Sequence, residues 1–140
     1  MKFTFVLVSL LLASCAGQQS PEVLVNIDEN VMSLAGSEWS LDSDDAATKD
    51  VFIQFGGDGT VSGSGGCNRI GGQFEQSGTS IKIGPLFTTK KACAAPIMDV
   101  ERRILNALET ARELGVSHFE LKLMDEDGAA LLKLIRSDWD

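Results

Sequence analysis

The hydrophobic periodicity of this chain changes twice, and this limits the folds open to it. Over residues 37–83, short runs alternate apolar and polar side chains, as half-buried β-strands do, with glycine-rich turns between them. From Pro96, apolar residues recur at steps of three and four, which predicts one amphipathic helix over about residues 96–113. Period two then returns over residues 116–123 and 129–135. The pattern predicts an α+β fold that is mainly antiparallel β: a small curved sheet or barrel with one helix.

The same alternation assigns the individual strands. Trp39 lies in the first of them and is expected to anchor the core. Residues 85–91 are expected to form a further strand or an irregular crossing segment. The predicted strands cover residues 37–41, 51–55, 60–63, 67–74, 79–83, 116–123 and 129–135.

Two finer expectations concern the region after the helix. Gly115 is placed to end the helix, because glycine favours the position just beyond a helix C-terminus. In the run that follows, Phe119, Leu121 and Leu123 share one face and are expected in the core. His118 lies on the opposite face and is expected to be exposed.

Length and charge exclude several functional classes. The 140 residues fit one domain, and 44% hydrophobic content is enough for a real core. The net charge of −8 argues against nucleic acid as a partner and against membrane attachment by charge, since both surfaces would repel the chain. The single histidine excludes a histidine-rich metal site within one chain, and we expect neither a metal nor another cofactor.

The N-terminus has the features of a bacterial export signal. Residues 3–13 are uncharged and follow Lys2. As a helix they extend about 16 Å, too short for a permanent membrane span but suited to a signal peptide. Residues 12–15, Leu-Ala-Ser-Cys, resemble the lipobox of bacterial lipoproteins, in which the cysteine is acylated and becomes the mature N-terminus. The alternative is an ordinary signal peptide that leaves Cys15 as a free thiol.

The lipobox implies a domain plan and a location. Residues 1–14 are expected to be the signal peptide, residues 15–36 the lipidated N-terminus and tether, and residues 37–137 the folded domain. Acyl chains such as palmitate on Cys15 would hold the protein on a membrane stably. Ala16, in place of an aspartate, favours the outer membrane of the bacterial cell envelope, facing the periplasm.

The densest local signal lies in residues 56–72, which hold eight of the fourteen glycines. A phosphate-binding loop is disfavoured, because no Lys-Ser or Lys-Thr pair follows the last glycine and strands flank the segment. The glycines, among them Gly63, Gly66 and Gly72, are interpreted as places where a small sheet bends or where backbones approach closely.

The cysteine count leaves one pair once Cys15 is acylated. In an exported domain, Cys67 and Cys93 indicate a disulfide that encloses 25 residues. Two free buried thiols are an alternative, as is a nucleophilic Cys67 assisted by His118. A zinc site is a further alternative, although these residues would supply only three ligands.

One further set of residues spans the predicted domain: Trp39, Gly63, Gly66, Cys67, Asn68, Gly72, Thr89, Cys93, Glu101 and Leu108. Together these residues resemble the motifs of the META domain family, the fold of HslJ-type heat-shock lipoproteins. Lys91 stands where the family commonly has methionine, and Phe74 where tyrosine is common. The resemblance covers about residues 37–136 and implies a compact, lipocalin-like β-barrel with one helix, no known catalytic residues, and a link to stress or drug tolerance.

Three functional hypotheses follow from these observations. The first is a non-enzymatic, lipid-anchored envelope protein that binds an envelope protein or a small apolar ligand during stress. The second is an inhibitor or assembly subunit that docks through its glycine-rich surface and Lys90 and Lys91. The third is a hydrolase-like enzyme using Cys67 or His118, which is disfavoured because the chain has no Gly-x-Ser-x-Gly nucleophile elbow.

Overall fold

Nine strands and one helix make up the fold of residues 31–138, the part of the chain that the computed structural model describes. Cys15 and the predicted signal peptide lie outside these residues. The elements in chain order are β1 (Ser37–Ser40), β2 (Val51–Phe55), β3 (Thr60–Gly65), β4 (Arg69–Ser77), β5 (Ser80–Ile83), β6 (Phe87–Thr88), α1 (Ala95–Thr110), β7 (Glu113–Val116), β8 (Glu120–Met124) and β9 (Ala130–Arg136).

The strands form one antiparallel sheet that curves into a near-ring. Their order is β3-β2-β1-β9-β8-β7-β5-β4, and β4 pairs back onto β3, while the short β6 adds to β4. The seam between β5 and β7 is narrow, with Ser80 opposite Glu113 as its ladder pair. Backbone bonds from Ile81 N to the Arg112 carbonyl and from Leu114 N to the Thr79 carbonyl extend that seam. The predicted α+β class, mainly antiparallel β with one helix, is confirmed.

The interior of the ring is filled with side chains. Trp39 is fully buried, as predicted, and its Nε1 donates a 2.7 Å hydrogen bond to Ser37 Oγ. The helix α1 contacts β3, β5 and β9 and adds its own apolar stripe to the same cluster. The buried side chains include Trp39, Ile53, Phe55, Val61, Ile70, Phe74, Ile81, Leu114, Leu121, Leu123 and Leu134 from the strands and Val100, Ile104 and Leu108 from α1.

The helix is shorter at its C-terminus than the sequence predicts. It ends at Thr110, and Gly115 lies inside β7 instead of ending the helix. Ala111 follows the last turn in an extended conformation and donates its N–H to the Ala107 carbonyl. Both Ala111 and Leu114 are buried, so the return to the core begins before the glycine is reached. Within residues 31–138, no helix is long and apolar enough to span a bilayer.

The predicted strand over residues 116–123 is instead a hairpin. Strand β7 ends at Val116 and β8 begins at Glu120, and a turn separates them. Leu121 and Leu123 are fully buried as predicted, but the prediction for Phe119 is wrong, since it is 72% exposed. The turn interrupts the alternation just before Leu121, and Phe119 falls on the turn.

For two other segments, residues 85–91 and 31–36, the structure adds detail to what the sequence predicts. Residues 85–91 form both an irregular crossing and a strand, since β6 is only two residues long. Residues 31–36, at the end of the predicted tether, pack on the sheet. Leu34 is fully buried, and its N–H donates a 2.9 Å hydrogen bond to Gln76 Oε1.

Candidate functional site

The turn between β3 and β4 brings several predicted residues together. Cys67 and Cys93 form a disulfide here, with their Cα atoms 6.0 Å apart. This bond ties the β3–β4 turn to the segment before α1. The sulfur of Cys67 is therefore engaged, and in this oxidised state it offers neither a nucleophilic thiolate nor a metal ligand.

A buried carboxylate from α1 organises the same turn. Glu101 is only 4% exposed. Its Oε2 accepts hydrogen bonds from Asn68 N at 2.6 Å and Cys67 N at 3.3 Å, and its Oε1 accepts one from Asn68 Nδ2 at 2.7 Å. Within residues 31–138, no lysine, arginine or histidine nitrogen lies within 4.0 Å of the carboxylate. The carboxylate is therefore stabilised by N–H donors and not by a cationic side chain, and hydrogen bonds to a charged acceptor are strong.

The Asn68 side chain also forms hydrogen bonds with residues 84–94, the segment that we call the strap. Its Oδ1 accepts hydrogen bonds from Thr89 Oγ1 at 2.9 Å and from Lys91 N at 2.7 Å. Its Nδ2 also donates to the Lys91 carbonyl at 3.2 Å. Thr89 Oγ1 in turn accepts from Arg69 N at 3.1 Å. The disulfide and this network together fasten the strap to the start of β4.

Two glycines give this network room. A Cβ at Gly65 would lie 2.6 Å from Cγ of Glu101, so the buried carboxylate needs a glycine there. Gly66 has φ of +107°, which L side chains rarely adopt. Gly63 and Gly72 lie within β3 and β4, outside this turn. Gly65, the last residue of β3, and Gly66, the first residue of the turn, therefore serve backbone geometry, in agreement with the structural interpretation of the sequence.

The arrangement is suited to fixing the backbone more than to chemistry. The Glu101 carboxylate is occupied by donors and the cysteines are bonded to each other. His118, exposed as predicted, lies in the β7–β8 turn, and the described part of the chain gives its ring no hydrogen bond. Residues 31–138 contain no cluster of three His, Cys, Asp or Glu side chains that could hold a metal ion.

A groove of about 750 Å³ opens on the outer face of β2, β3 and β4, beside the strap. Strand register places Phe52, Ser64 and Arg69 in one row across this face. Phe52 and Arg69 both line the groove. One end of the groove therefore combines an aromatic ring with a guanidinium group.

In the next row across the face, small residues lie between the larger side chains of Gln54 and Phe87. Gln54, Ser62, Gly71 and Phe87 lie opposite one another across four strands. Ser62 and Gly71 supply little side chain, so the middle of the row is open. The Phe87 ring lies against Gly71, where an added Cβ would come within 2.6 Å of Phe87 Cε2. Phe87 is nevertheless 71% exposed, and it forms a wall on the strap side of the groove.

The far end of the groove is polar. Thr60 lies opposite Gln73, and both line the groove. Asp58 stands beyond this end in the β2–β3 turn, where its Oδ1 accepts hydrogen bonds from Thr60 Oγ1 at 2.6 Å and Thr60 N at 3.1 Å. These bonds hold the pKa of Asp58 below its usual value, so it stays ionised at neutral pH. Sequence reasoning missed this groove, because it depends on how β6 pairs with β4.

Comparison with known proteins gives a family and a fold. A model of the META domain matches residues 32–138. No curated protein matches the chain. The structure is similar to the NMR structure of a protein from Burkholderia xenovorans, with a TM-score of 0.62 and 23% identity over 75% of this chain and 84% of that one. It is also similar to a duf4847 family protein from Bacteroides vulgatus, with a TM-score of 0.57 and 17% identity over 76% and 96% of the two chains.

Proposed function

Because this chain belongs to the META domain family, we propose that it is a non-enzymatic, lipid-anchored protein of the bacterial cell envelope. In this proposal the barrel binds a small ligand or an envelope protein on its outer face and thereby contributes to stress or drug tolerance. The observation that carries the proposal is the groove beside the strap, on a barrel whose interior is already filled.

Packing and cross-linking support a binding role. A filled core leaves the outer surface as the place for recognition, and the groove volume falls in the range of small-molecule sites. The disulfide and the Glu101 network fix the strap that carries Phe87. A wall held in place before binding loses little conformational entropy when a ligand arrives.

The anchor is proposed at Cys15, on the strength of the lipobox resemblance. The full chain and a Cys15→Ser variant would be expressed in a Gram-negative host, fed labelled palmitate, and separated into soluble and membrane fractions. We expect label and membrane association in the parent and neither in the variant. Unmodified Cys15 in protein extracted from the membrane would overturn the anchoring proposal.

The stress role is tested by deletion in the native host. We expect the deletion strain to grow less well than its parent under heat, detergent or antibiotic challenge, and a plasmid copy to restore growth. A copy carrying Cys15→Ser is a matched control for the need for anchoring. Equal growth of deletion and parent strains under all three challenges would count against the role.

A second candidate function is an inhibitor or assembly subunit of an envelope complex. The observation that favours it is the exposed pair Lys90 and Lys91 on the strap, a basic spot on a chain of net charge −8. An acidic partner would be attracted to this spot. Affinity purification from the detergent-solubilised envelope distinguishes the two candidate functions. A partner protein that co-purifies in stoichiometric amounts with the parent, but not with the Lys90→Gln/Lys91→Gln double variant, supports docking. A co-purifying small molecule supports ligand binding.

A further inference from the structure

The charge of the groove differs from that of the rest of the molecule. The chain has 20 acidic residues, yet among the described residues, 31–138, none that lines the groove is Asp or Glu. Arg69 is the charged residue in the lining that this part of the chain supplies. Within residues 31–138, no carboxylate lies within 4.0 Å of its guanidinium, although four other cationic side chains form ion pairs. The groove therefore presents one positive charge that the described fold does not neutralise.

Apolar surface adjoins this charge. Phe52 stands in the same row as Arg69, and the exposed Phe87 lies one row further along. Pro85 extends the strap wall. A ligand that covers these side chains gains from burying apolar surface, while its charged group meets Arg69.

The polar groups set the orientation of such a ligand. Gln54, Ser62 and Gln73 offer neutral hydrogen-bonding groups along the groove. The ionised Asp58 stands beyond the Thr60 end, and it would repel an anion placed there. The anionic group therefore belongs at the Arg69 end, and the apolar body extends over Gly71 towards Phe87.

We propose that this groove binds a small anionic amphiphile, a free molecule with one carboxylate, sulfonate or phosphate group and an apolar body. This rests on the proposed binding function and names the class of ligand. The aromatic walls supply affinity for the apolar body, and Arg69 distinguishes anionic from neutral ligands, since guanidinium matches the geometry of such oxyanions.

A pair of fluorescent probes tests the proposal directly. The probe 1-anilinonaphthalene-8-sulfonate carries a sulfonate, and N-phenyl-1-naphthylamine has the same ring system without it. Both would be titrated into the disulfide-intact protein and into Arg69→Gln, Phe87→Ala and Lys49→Gln variants. Lys49 is exposed and lies outside the groove lining, so its variant makes the same change in net charge elsewhere.

We expect Arg69→Gln to weaken binding of the sulfonate probe about five- to tenfold and to change binding of the neutral probe less than twofold. Phe87→Ala should weaken both probes, and Lys49→Gln should change neither by more than twofold. Decanoate should displace the sulfonate probe at lower concentrations than decanol does.

Three results would overturn the proposal: no saturable binding of either probe, equal effects of Arg69→Gln and Lys49→Gln on the sulfonate probe, or equal effects of Arg69→Gln on both probes. None of these would bear on membrane anchoring or on capture of a partner protein, which the Cys15→Ser and affinity-purification experiments test separately. Circular dichroism of each variant verifies that it is folded.

Discussion

Replacing Glu101 by glutamine tests whether the buried carboxylate holds the β3–β4 turn in place. The substitution keeps the size of the side chain but removes its charge and puts an NH2 group where one oxygen accepts hydrogen bonds. Two short bonds from Asn68, at 2.6 and 2.7 Å, and a longer one from Cys67 N meet the carboxylate. A hydrogen bond to a charged group contributes about 1.5–3 kcal/mol, and a buried donor left without a partner costs about 1–3 kcal/mol.

The glutamine side chain can keep one of the short bonds as a neutral bond and loses the other. Burying a neutral amide also costs less than burying a carboxylate that has no cation beside it, which offsets part of the loss. We therefore expect the free energy of unfolding to fall by about 2–3 kcal/mol. Because Glu101 is buried, solvent screening reduces this figure little.

Urea unfolding with the disulfide intact measures the effect as a lower midpoint with an unchanged m-value. Glu109→Gln is the matched control, since Glu109 is exposed on the same helix and its loss should change stability by less than about 0.5 kcal/mol. If Glu101→Gln unfolds at the same urea concentration as Glu109→Gln, the carboxylate does not organise the turn.

The disulfide, the Asn68 hydrogen bonds and the Glu120 ion pair can each be tested by substitution. Replacing both Cys67 and Cys93 by alanine should lower the free energy of unfolding by roughly 3.5 kcal/mol according to the chain-entropy relation, and a reductant should not change the stability of this variant. Detection of two reactive thiols in the denatured, unreduced parent protein would contradict the disulfide. Asn68→Ala removes the acceptor for two strap donors, and urea unfolding should show a loss of about 2–3 kcal/mol, whereas a loss under 0.5 kcal/mol would contradict the network. A hydrogen bond from Lys133 lowers the pKa of Glu120, so NMR titration should find this pKa higher in Lys133→Gln, and an unchanged pKa would contradict the prediction. Because the pKa of Glu120 is lower in the folded than in the unfolded state, the ion pair contributes to stability above about pH 4.5. This contribution is lost as the pH falls through the folded-state pKa.

Local patterns predicted most of the strands, because side-chain alternation depends only on neighbouring residues. The β2 strand and the burial of Trp39 are examples. The turn at residues 117–119 could not be predicted in the same way, since no glycine, proline or asparagine marks it. Val116 pairs with Leu121 on either side of the turn, and Ser117 Oγ accepts a 3.1 Å hydrogen bond from Glu120 N. Neither contact is visible in the alternation itself.

The candidate site was predicted in part. The cysteine pair followed from the cysteine count and the predicted export signal, and Asn68 came with the family resemblance. The role of Glu101 was missed, although a signal existed: it lies four residues after Ile97 and three before Ile104, on the apolar side of the helix. A charged residue on a buried face needs partners, and these came from a distant turn. The groove depends in the same way on the non-local pairing of Phe87 with Gly71.

An amide NMR titration with N-phenyl-1-naphthylamine tests most directly whether this filled barrel binds ligands on its outer face. The neutral probe reports on apolar binding wherever it occurs, independently of the charge of Arg69. We predict shifts confined to β2, β3, β4 and β6, largest at Ser62, Gly71 and Phe87, which line the groove. Shifts centred on core residues such as Trp39 and Leu121, with the groove unaffected, would show binding inside the barrel and contradict binding on its outer face.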